Sequence, residues 1–397
     1  MTVEHLYVHA PFCARRCPYC DFAVTVRRTG GHEAWSEAIR AELDMRENGG
    51  PAGDPVTLAR PLRTLFVGGG TPSLLGADAM GALGRILGPE RVASPTLEWT
   101  AEANPESFGP EVARGWQEAG VNRVSLGVQS FDPAVLRWMG RLHGPDGARV
   151  AVETARAHGL ANLSLDLIFG LPARLGRDLR TDLDAALALD PAHLSLYGLS
   201  AEQGTPLARW IREGREIPLD DDAYAEEYLQ IAERLASEGY RHYEVSNFAR
   251  PGFESVHNQA YWSGTPYLGL GNGSHSYLPP FRSWNFRNWD EYSNRVLAGE
   301  DPTVERESVE GEARVLETIW LGLRTADGWA LPVGTGGDGP ESEEMAAAGE
   351  IARSWQVRGL AAVRGGRVIL TPEGWLLLDE LAVQMADVVR TEGRGSG

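Results

Sequence analysis

Six short runs of β-forming residues alternate with amphipathic, helix-like segments over about the first 200 residues, and this alternation constrains the fold more than any other feature. The predicted strands are Leu6–His9, Thr64–Val67, Leu97–Ala101, Arg123–Gly127, Asn162–Ile168 and His193–Tyr197. Strands separated by helices pair in parallel, because each helix carries the chain back to the same end of the sheet. The sequence therefore predicts an α/β fold. Six units favour an open, partial (β/α)6 barrel, and a doubly wound sheet is the alternative.

Two domains are predicted. Residues 1–300 hold the partial barrel and an aromatic extension, and residues 301–397 form a C-terminal, mainly α-helical unit that resembles a winged helix. In this second unit a helix at Val309–Arg324 and a further helix precede a hairpin at Leu360–Leu370. Thr371 is a good N-cap for the helix that follows the hairpin.

The chain is acidic, with a formal net charge of −18. Such a surface repels nucleic-acid phosphates and anionic lipid headgroups, so neither is an expected partner. From residue 301 on there are 17 acidic residues against 9 arginines, so the winged-helix-like unit is not expected to bind DNA. No apolar run approaches the ~20 residues that span a bilayer, and the first residues contain no apolar signal region. We therefore expect a cytoplasmic protein that is not integral to a membrane.

The chain contains no lysine, so all 37 basic residues are arginine. This excludes a pyridoxal Schiff base, a lysine general base and a nucleotide-binding P-loop. The glycine run Gly68–Gly70, which follows the second predicted strand, is therefore not a Walker A motif.

The three cysteines of the chain are Cys13, Cys17 and Cys20, in a C-x3-C-x2-C spacing directly after the first predicted strand. An odd, tightly clustered set indicates metal ligation rather than a disulfide framework. Three thiolates on a four-iron cluster leave one iron open to an exogenous ligand, unlike the four-cysteine sites of ferredoxins. The alternative is a structural zinc site completed by His9 or His32.

The segment Tyr7–Phe22 around these cysteines resembles the radical S-adenosylmethionine (SAM) family of oxygen-independent coproporphyrinogen III oxidase and its relatives. The resemblance implies a [4Fe–4S] cluster on Cys13, Cys17 and Cys20. It also implies that the amino and carboxylate groups of SAM chelate the open iron, and that the reduced cluster cleaves SAM to a 5′-deoxyadenosyl radical. The resemblance is strong to about residue 290 and weak in the tail.

Several glycines and polar residues lie at or near the predicted strand ends, where the chemistry of barrel proteins is located. Glycine lets the backbone approach a ligand closely, and the carboxylate of Asp166 in its apolar strand is costly to bury unless it is paired. Taken singly, each residue is as readily a helix cap or a satisfied structural group. The resemblance implies SAM contacts for Gly69, Gly70, Thr71, Glu102, Gln129, Arg141 and Asp166, with Tyr7 and Tyr19 beside SAM and the cluster.

Two features separate the branches of this family. The oxidases have a further cysteine two positions after the third cluster cysteine, where this chain has Phe22. The branch of HemW heme chaperones has phenylalanine there and a His-Asn-x-x-Tyr-Trp motif, which matches His257–Trp262. The resemblance therefore implies a chaperone that binds heme and delivers it to apo-hemoproteins, respiratory proteins among them, and that is not a coproporphyrinogen oxidase.

The residue types of the motif agree with heme binding. Histidine is a common axial ligand of heme iron, and Tyr261 and Trp262 offer aromatic faces to a flat macrocycle. We predict His257 as the heme ligand, with its second ring nitrogen held by Asn258 or by a backbone carbonyl, and His275 as a second candidate. A core His–Asn pair among packed aromatic residues is the alternative for the motif. Coproporphyrinogen III oxidation, or another radical SAM reaction, is the alternative function.

Overall fold

Twelve strands form one mixed sheet in the computed structural model, which describes residues 1–28, 30–49, 55–332 and 343–389. The strands are β1 (His5–Ala10), β2 (Thr64–Gly69), β3 (Glu98–Ala103), β4 (Arg123–Gln129), β5 (Leu163–Phe169), β6 (His193–Gly198), β7 (Arg241–Glu244), β8 (Asn247–Ala249), β9 (Tyr267–Leu270), β10 (His275–Leu278), β11 (Phe281–Asn285) and β12 (Thr303–Ser308). Across the sheet they lie in the order β7-β8-β6-β5-β4-β3-β2-β1-β9-β10-β11-β12.

Strands β1 to β6 run parallel and are the six that the sequence predicts. They follow one another in chain order across the sheet, without the reversal that a doubly wound sheet has at its switch point. The predicted α/β fold with a partial (β/α)6 barrel is therefore confirmed. The sequence did not predict a seventh parallel strand, β9, which pairs with β1 and begins the antiparallel extension β9 to β12.

Helices connect the strands and continue into the C-terminal residues. They are α1 (His32–Asn48), α2 (Asp78–Leu87), α3 (Pro89–Val92), α4 (Pro110–Ala119), α5 (Pro133–Trp138), α6 (Gly147–Ala157), α7 (Leu179–Ala188), α8 (Pro206–Arg212), α9 (Asp221–Ser237), α10 (Val256–Trp262), α11 (Trp289–Leu297), α12 (Gly311–Leu323), α13 (Glu343–Val357), α14 (Pro372–Trp375) and α15 (Leu378–Val389). Among the described residues, no helix has the length and apolar character needed to cross a membrane.

Successive residues of each parallel strand lie in two different environments, because their side chains point alternately to opposite faces of the sheet. In β1, Leu6 and Val8 are fully buried in the core that they share with Trp35 of α1. His5 and Tyr7 point to the inner face. The other strands also place buried polar side chains on that face: Thr64, Thr100, Ser125, Ser164, His193 and Ser195. The lumen of the barrel is therefore polar, and it is where a binding site can form.

A buried carboxylate fastens α1 to the extension of the sheet. Glu42 of α1 is fully buried. Its Oε1 accepts hydrogen bonds from Arg46 at 3.1 Å and from the Asn285 side chain at 2.7 Å. Its Oε2 accepts from the Gly271 N–H at 2.8 Å and from the Tyr292 hydroxyl at 2.6 Å. Three of the four donors belong to the extension, so this one carboxylate fixes the extension relative to the barrel.

The C-terminal residues form the predicted succession of helices and a hairpin. Helices α12 and α13 precede β14 (Ala361–Arg364) and β15 (Arg367–Leu370), which pair as the predicted hairpin; together with β13 (Trp329–Ala330) they form a small sheet. Thr371 caps the next helix as predicted, since its hydroxyl accepts a hydrogen bond from the Gly374 N–H at 3.1 Å.

A buried ion pair ties this tail to the barrel. Arg324, at the end of α12, lies 3.1 Å from the carboxylate of Glu244, which is fully buried. The large sheet itself continues beyond residue 300, because β12 pairs along β11 as its edge strand. The division into domains at residue 300 stays a prediction.

The Glu42 contacts give a stability test. Glu42→Ala leaves four buried donors without their acceptor, so we expect the free energy of unfolding to fall by about 3–5 kcal/mol, measured by urea denaturation followed by tryptophan fluorescence. Glu37→Ala, on the exposed side of the same helix, is the control and should stay within about 0.5 kcal/mol of wild type. Equal losses in the two variants would contradict a special role for Glu42.

Candidate functional site

The three cysteines lie on a loop that leaves β1 at the carboxyl end of the barrel strands. The short strands Phe12–Cys13 and Thr25–Val26 pair with each other and close this loop. Within it, the Cys20 N–H donates to the Cys17 carbonyl at 3.3 Å. All three thiols are free and partly buried, and all three line one cavity of about 510 Å³, the cysteine pocket. The structure therefore brings the predicted ligand set together.

The surroundings of the thiols suit metal-bound thiolates. The Thr71 hydroxyl donates to Cys13 Sγ at 3.4 Å, and the Arg141 guanidinium lies 4.0 Å from Cys17 Sγ. Burial raises the pKa of the Cys13 thiol to about 11, so the free side chain keeps its proton and a metal has to displace it. Three partly buried thiols with hydrogen-bond donors beside two of them are a donor set that fits an iron–sulfur cluster.

A single-ion site fits this arrangement less well. Among the residues that the structure describes, no three His, Cys, Asp or Glu side chains converge on one point as a metal ion requires. A cluster makes no such demand, because each cysteine binds a different iron. His9 is also unavailable as a zinc ligand, since its Nε2 lies 3.0 Å from the Ala23 carbonyl oxygen and its Nδ1 lies 3.0 Å from the Tyr7 hydroxyl.

The cysteine pocket also collects nearly all of the residues predicted to contact SAM. They are Tyr19, Gly69, Gly70, Thr71, Glu102, Gln129, Arg141 and Asp166. Tyr7 is the exception, because its side chain lines a neighbouring pocket. Their roles toward SAM stay predictions, but their common location agrees with the expectation that the strand ends meet.

Two glycines at the end of β2 bring the backbone close to the cysteine loop. Gly69 has a φ of +102°, and a Cβ on it would clash with the His9 ring. A Cβ on Gly70 would lie 2.6 Å from the Phe12 carbonyl oxygen. A side chain at Gly70 would therefore push away the start of the cysteine loop, and one at Gly69 would displace the His9 ring of β1.

Two partly buried carboxyl groups lie in the same pocket. Asp166 accepts hydrogen bonds from the hydroxyls of Ser125 at 2.9 Å and Ser164 at 3.2 Å. Glu102 accepts one from the Gly69 N–H at 3.0 Å. Burial, followed by the charge of Asp166, raises the pKa of Glu102 to about 8, and burial raises the pKa of Asp166. A cation entering the pocket would favour the ionised form of both groups.

Arg141 joins the ends of three strands. Its Nη2 donates to the side-chain oxygen of Asn104 and to the carbonyl of Gly127, each at 2.6 Å, and Asn104 donates to the Thr71 hydroxyl at 3.1 Å. Sequence reasoning gave Asn104 no role. The only signal was its place before Pro105, directly after the third strand.

Gln129 has a strained backbone. Its φ is +69°, in the left-handed region that residues other than glycine rarely adopt. The residue follows an irregularity in the pairing of β4 with β5. This conformation costs about 1–2 kcal/mol, and strain of this kind concentrates at functional sites. The geometry thus agrees with the predicted place of Gln129 in the SAM site.

A second cavity of about 550 Å³, the aromatic pocket, lies beside the cysteine pocket. Its ring-bearing lining residues are Tyr7, His9, Phe22, Tyr261, Trp262, Tyr267, His275, Tyr277 and Trp320, and its charged ones are Asp21, Arg282, Arg287 and Glu317. Asp21, Phe22 and Gly69 line both pockets, so the two cavities share a wall built partly from the cysteine loop.

His257, the predicted heme ligand, is placed beneath the aromatic pocket rather than in it. Its side chain is buried, with only 1% of the residue exposed. Nδ1 lies 2.7 Å from the Thr64 hydroxyl and Nε2 lies 2.8 Å from the Tyr261 hydroxyl. Thr64 and Tyr261, not Asn258 or a carbonyl, therefore hold the ring. Burial lowers the pKa of His257 to about 3, so the ring is neutral.

Glu98 orients the motif helix α10, and sequence reasoning missed it. Its carboxylate accepts hydrogen bonds from the N–H groups of Val256 and His257, each at 2.9 Å. A carboxylate at a helix N-terminus satisfies donors that have no partner within the helix. Glu98 lies on β3, 158 residues before Val256, and no local sequence pattern predicts a contact between residues so far apart in the chain.

Comparisons with known proteins give a consistent assignment. The family model of the radical SAM superfamily matches residues 7–186. The heme chaperone HemW of Mycobacterium tuberculosis is 38% identical over 94% of this chain and 92% of its own length. HemW of Bacillus subtilis is 34% identical over 82% of this chain and 84% of its own length.

Among solved structures, coproporphyrinogen III oxidase (HemN) from Escherichia coli is similar in fold. It has a TM-score of 0.75 and 20% sequence identity, and the alignment covers 98% of this chain and 90% of HemN. At this identity the likeness concerns the fold alone.

The raised pKa of Glu102 gives a prediction on pH dependence. The folded chain holds this proton up to about pH 8, whereas an ordinary glutamate has a pKa of 4.5. The associated stability is therefore complete below pH 4.5 and is lost as pH rises toward 8. Relative to Glu102→Gln, which has no such proton, the melting temperature of the metal-free wild type should fall between pH 5 and pH 8.

The expected change in melting temperature is large enough to measure, and the chain offers a matched control. Each 1 kcal/mol moves the melting temperature of a chain of this size by roughly 2 °C, so calorimetry resolves the change. Glu118→Gln, at an exposed position of α4, should keep the pH profile of the wild type. Parallel profiles for wild type and Glu102→Gln would show that the Glu102 proton is not linked to folding.

Proposed function

The chain belongs to the radical SAM superfamily and, within it, to the family of HemW heme chaperones, and on this premise we propose that it is a heme chaperone. It binds one [4Fe–4S] cluster, SAM and heme, and it delivers heme to apo-hemoproteins, with respiratory proteins among the expected clients. Its proposed compartment is the cytoplasm, where thiols stay reduced. The observation that carries the proposal is the pair of adjoining cavities, one with three free cysteines and one lined by aromatic rings.

The cofactor set is assigned to the cysteine pocket. In the proposal, Cys13, Cys17 and Cys20 hold the cluster and leave one iron for SAM. Bound together, cluster and SAM supply one-electron reductive chemistry. The backbone of Gly69 and Gly70 would hold the amino-acid end of SAM, and the positive charge of SAM would favour the ionised forms of Glu102 and Asp166. The remaining contacts are proposed for Tyr7, Tyr19, Thr71, Gln129 and Arg141.

The aromatic pocket is the proposed place of heme. A flat macrocycle buries its surface well against aromatic rings, and the cavity of about 550 Å³ falls in the range of roughly 300–1,000 Å³ that small-molecule sites occupy. The ligand predicted from the sequence, His257, reaches the iron only if its hydrogen bond with Thr64 or with Tyr261 opens. We therefore propose to test His257 and His275 as alternative ligands of the heme iron.

Phe22 supports the chaperone rather than the oxidase. It stands where the oxidases of this family carry a further cysteine, and 56% of the residue is exposed, at the wall between the two pockets. A phenyl ring there supplies apolar contact surface and offers no thiol for redox or acid–base steps.

Cluster binding is tested by anaerobic reconstitution. We expect about four irons and four sulfides per chain, and Cys17→Ala should lose most of both because one of three ligands is gone. Iron and sulfide are measured colorimetrically. Stoichiometric zinc without sulfide in anaerobically prepared wild type would contradict the cluster assignment.

SAM binding is tested separately from iron content. Asp166→Ala removes a carboxylate from the cysteine pocket but no metal ligand, so SAM affinity should fall roughly tenfold or more, a loss of at least about 1.4 kcal/mol, while iron content stays at the wild-type level. Isothermal titration measures the affinity. Asp184→Ala, an exposed carboxylate on α7, is the control, and an unchanged SAM affinity in Asp166→Ala would remove Asp166 from the site.

The function itself is tested by transfer. Heme-loaded protein should pass heme to an apo-cytochrome, followed by the absorption spectrum of the acceptor. The same preparation, given SAM, a reductant and coproporphyrinogen III, should form no protoporphyrinogen. Efficient formation of protoporphyrinogen would replace the chaperone proposal by the oxidase.

A further inference from the structure

One face of strands β9, β10 and β11 forms the floor of the aromatic pocket. Residues that lie directly opposite on neighbouring strands point to the same face. Tyr277 is opposite Tyr267 on one side and Arg282 on the other, and His275 is opposite Trp284. Because side chains alternate along a strand, His275 and Tyr277 share this face. An imidazole, an arginine and several aromatic rings therefore lie on one surface.

His275 differs from the other histidines near this pocket in the freedom of its ring. It is exposed, it stacks on Trp284 with ring centroids 5.4 Å apart, and its nitrogens make no hydrogen bond within the described part of the chain. His9 and His257 have both ring nitrogens in hydrogen bonds. Partial burial, followed by the charges of Arg282 and Arg287, lowers the pKa of His275. At neutral pH the ring thus keeps a lone pair for a metal.

Two arginines of the same pocket face carboxylates in the free protein. Arg282 lies 2.7 Å from Glu317 and 3.1 Å from Glu307. Arg287 is largely exposed and lies 3.5 Å from the Asp21 carboxylate. Arginine binds carboxylates with a matching pair of donors. A ligand with two carboxylates would therefore take the place of these protein carboxylates at the two arginines. It would replace existing ion pairs rather than meet arginines without a partner.

We propose that the aromatic pocket binds heme with a ring nitrogen of His275 on the iron and with the two propionates at Arg282 and Arg287. This inference rests on the proposed function and deepens it, because it assigns the iron ligand and the orientation of the macrocycle. Tyr267 and Tyr277 provide the apolar floor. His257 is then a positioning residue, whose hydrogen bond holds Tyr261 at the pocket.

The exchange of ion pairs suits a carrier. Propionates that replace Glu317 and Asp21 at the two arginines fix the orientation of heme, while the net gain in free energy stays small because one pair is broken for each pair made. Heme is thus oriented firmly and released without the cost of exposing unpaired arginines.

The iron ligand is tested by heme titration of the full chain with its cluster in place, read as difference absorption spectra. His275→Ala should shift the Soret band and weaken binding roughly tenfold, and added imidazole should restore the wild-type band. His257→Ala should weaken binding but keep the band position, because it changes support rather than ligand. His158→Ala, at the end of α6 and outside the pocket, should match the wild type.

The propionate contacts are tested with two probes, heme and heme dimethyl ester. Arg287→Gln and Arg282→Gln should each weaken heme binding several-fold. Both substitutions should have little effect on the dimethyl ester, which has no charged propionates to lose. Circular dichroism melts check that the variants remain folded.

The outcomes separate the inference from the proposed function. A wild-type band that survives in His275→Ala but is lost in His257→Ala would overturn the inference and assign the iron to His257, with the chaperone proposal intact. A band that no single histidine variant alters would overturn it as well. Equal losses for heme and its dimethyl ester in the arginine variants would refute the propionate contacts. A wild type that binds no heme at all would overturn both proposals together.

Discussion

Each parallel strand of the barrel packs one face against an apolar layer of helices and turns the other face toward the polar lumen. The rest of the structure depends on how the polar groups of the lumen find hydrogen-bond partners. Polar side chains placed there by alternation are shielded from bulk water, and a shielded polar group without a hydrogen-bond partner costs free energy. Asp166 accepts hydrogen bonds from the hydroxyl of Ser125 on the neighbouring strand and from that of Ser164 on its own strand. Glu98 finds the N-terminus of α10. Only a segment that supplies hydrogen-bond partners for these groups can therefore pack inside the lumen.

The need for hydrogen-bond partners in the lumen sets the position of α10. The position of α10 in turn determines the shape of the aromatic pocket. Once Glu98 and Thr64 hold the first turn of the helix, its last turn directs Tyr261 and Trp262 toward β9 and the tail. Trp262 lies against Trp320 of α12, and the Arg324 guanidinium lies 4.2 Å from the centre of the Trp262 ring. The barrel, the extension and the tail thus each supply one side of the same cavity.

The sequence predicted what depends on local pattern. Strands β1 to β6 appear as periodic runs, the cysteine loop as a spacing, and Thr371 as a cap before a proline. It did not predict β9 as a seventh parallel strand, because the short helix before it, α10, follows the antiparallel strand β8 and so does not complete the strand–helix–strand pattern of the other units. It also could not predict the surroundings of His257, since no motif reveals that the hydroxyl of Thr64, 193 residues earlier, lies within hydrogen-bond distance of one of its ring nitrogens.

The wall between the two pockets has an energetic consequence. Asp21 and Phe22 belong to the loop that carries the three cysteines, and they line both cavities. The conformational entropy of that loop is therefore common to both sites. A ligand that orders the loop from one side lowers the entropic cost of filling the other side, and thermodynamic linkage makes the effect reciprocal. Two occupants that never touch would then bind cooperatively through a single segment of backbone.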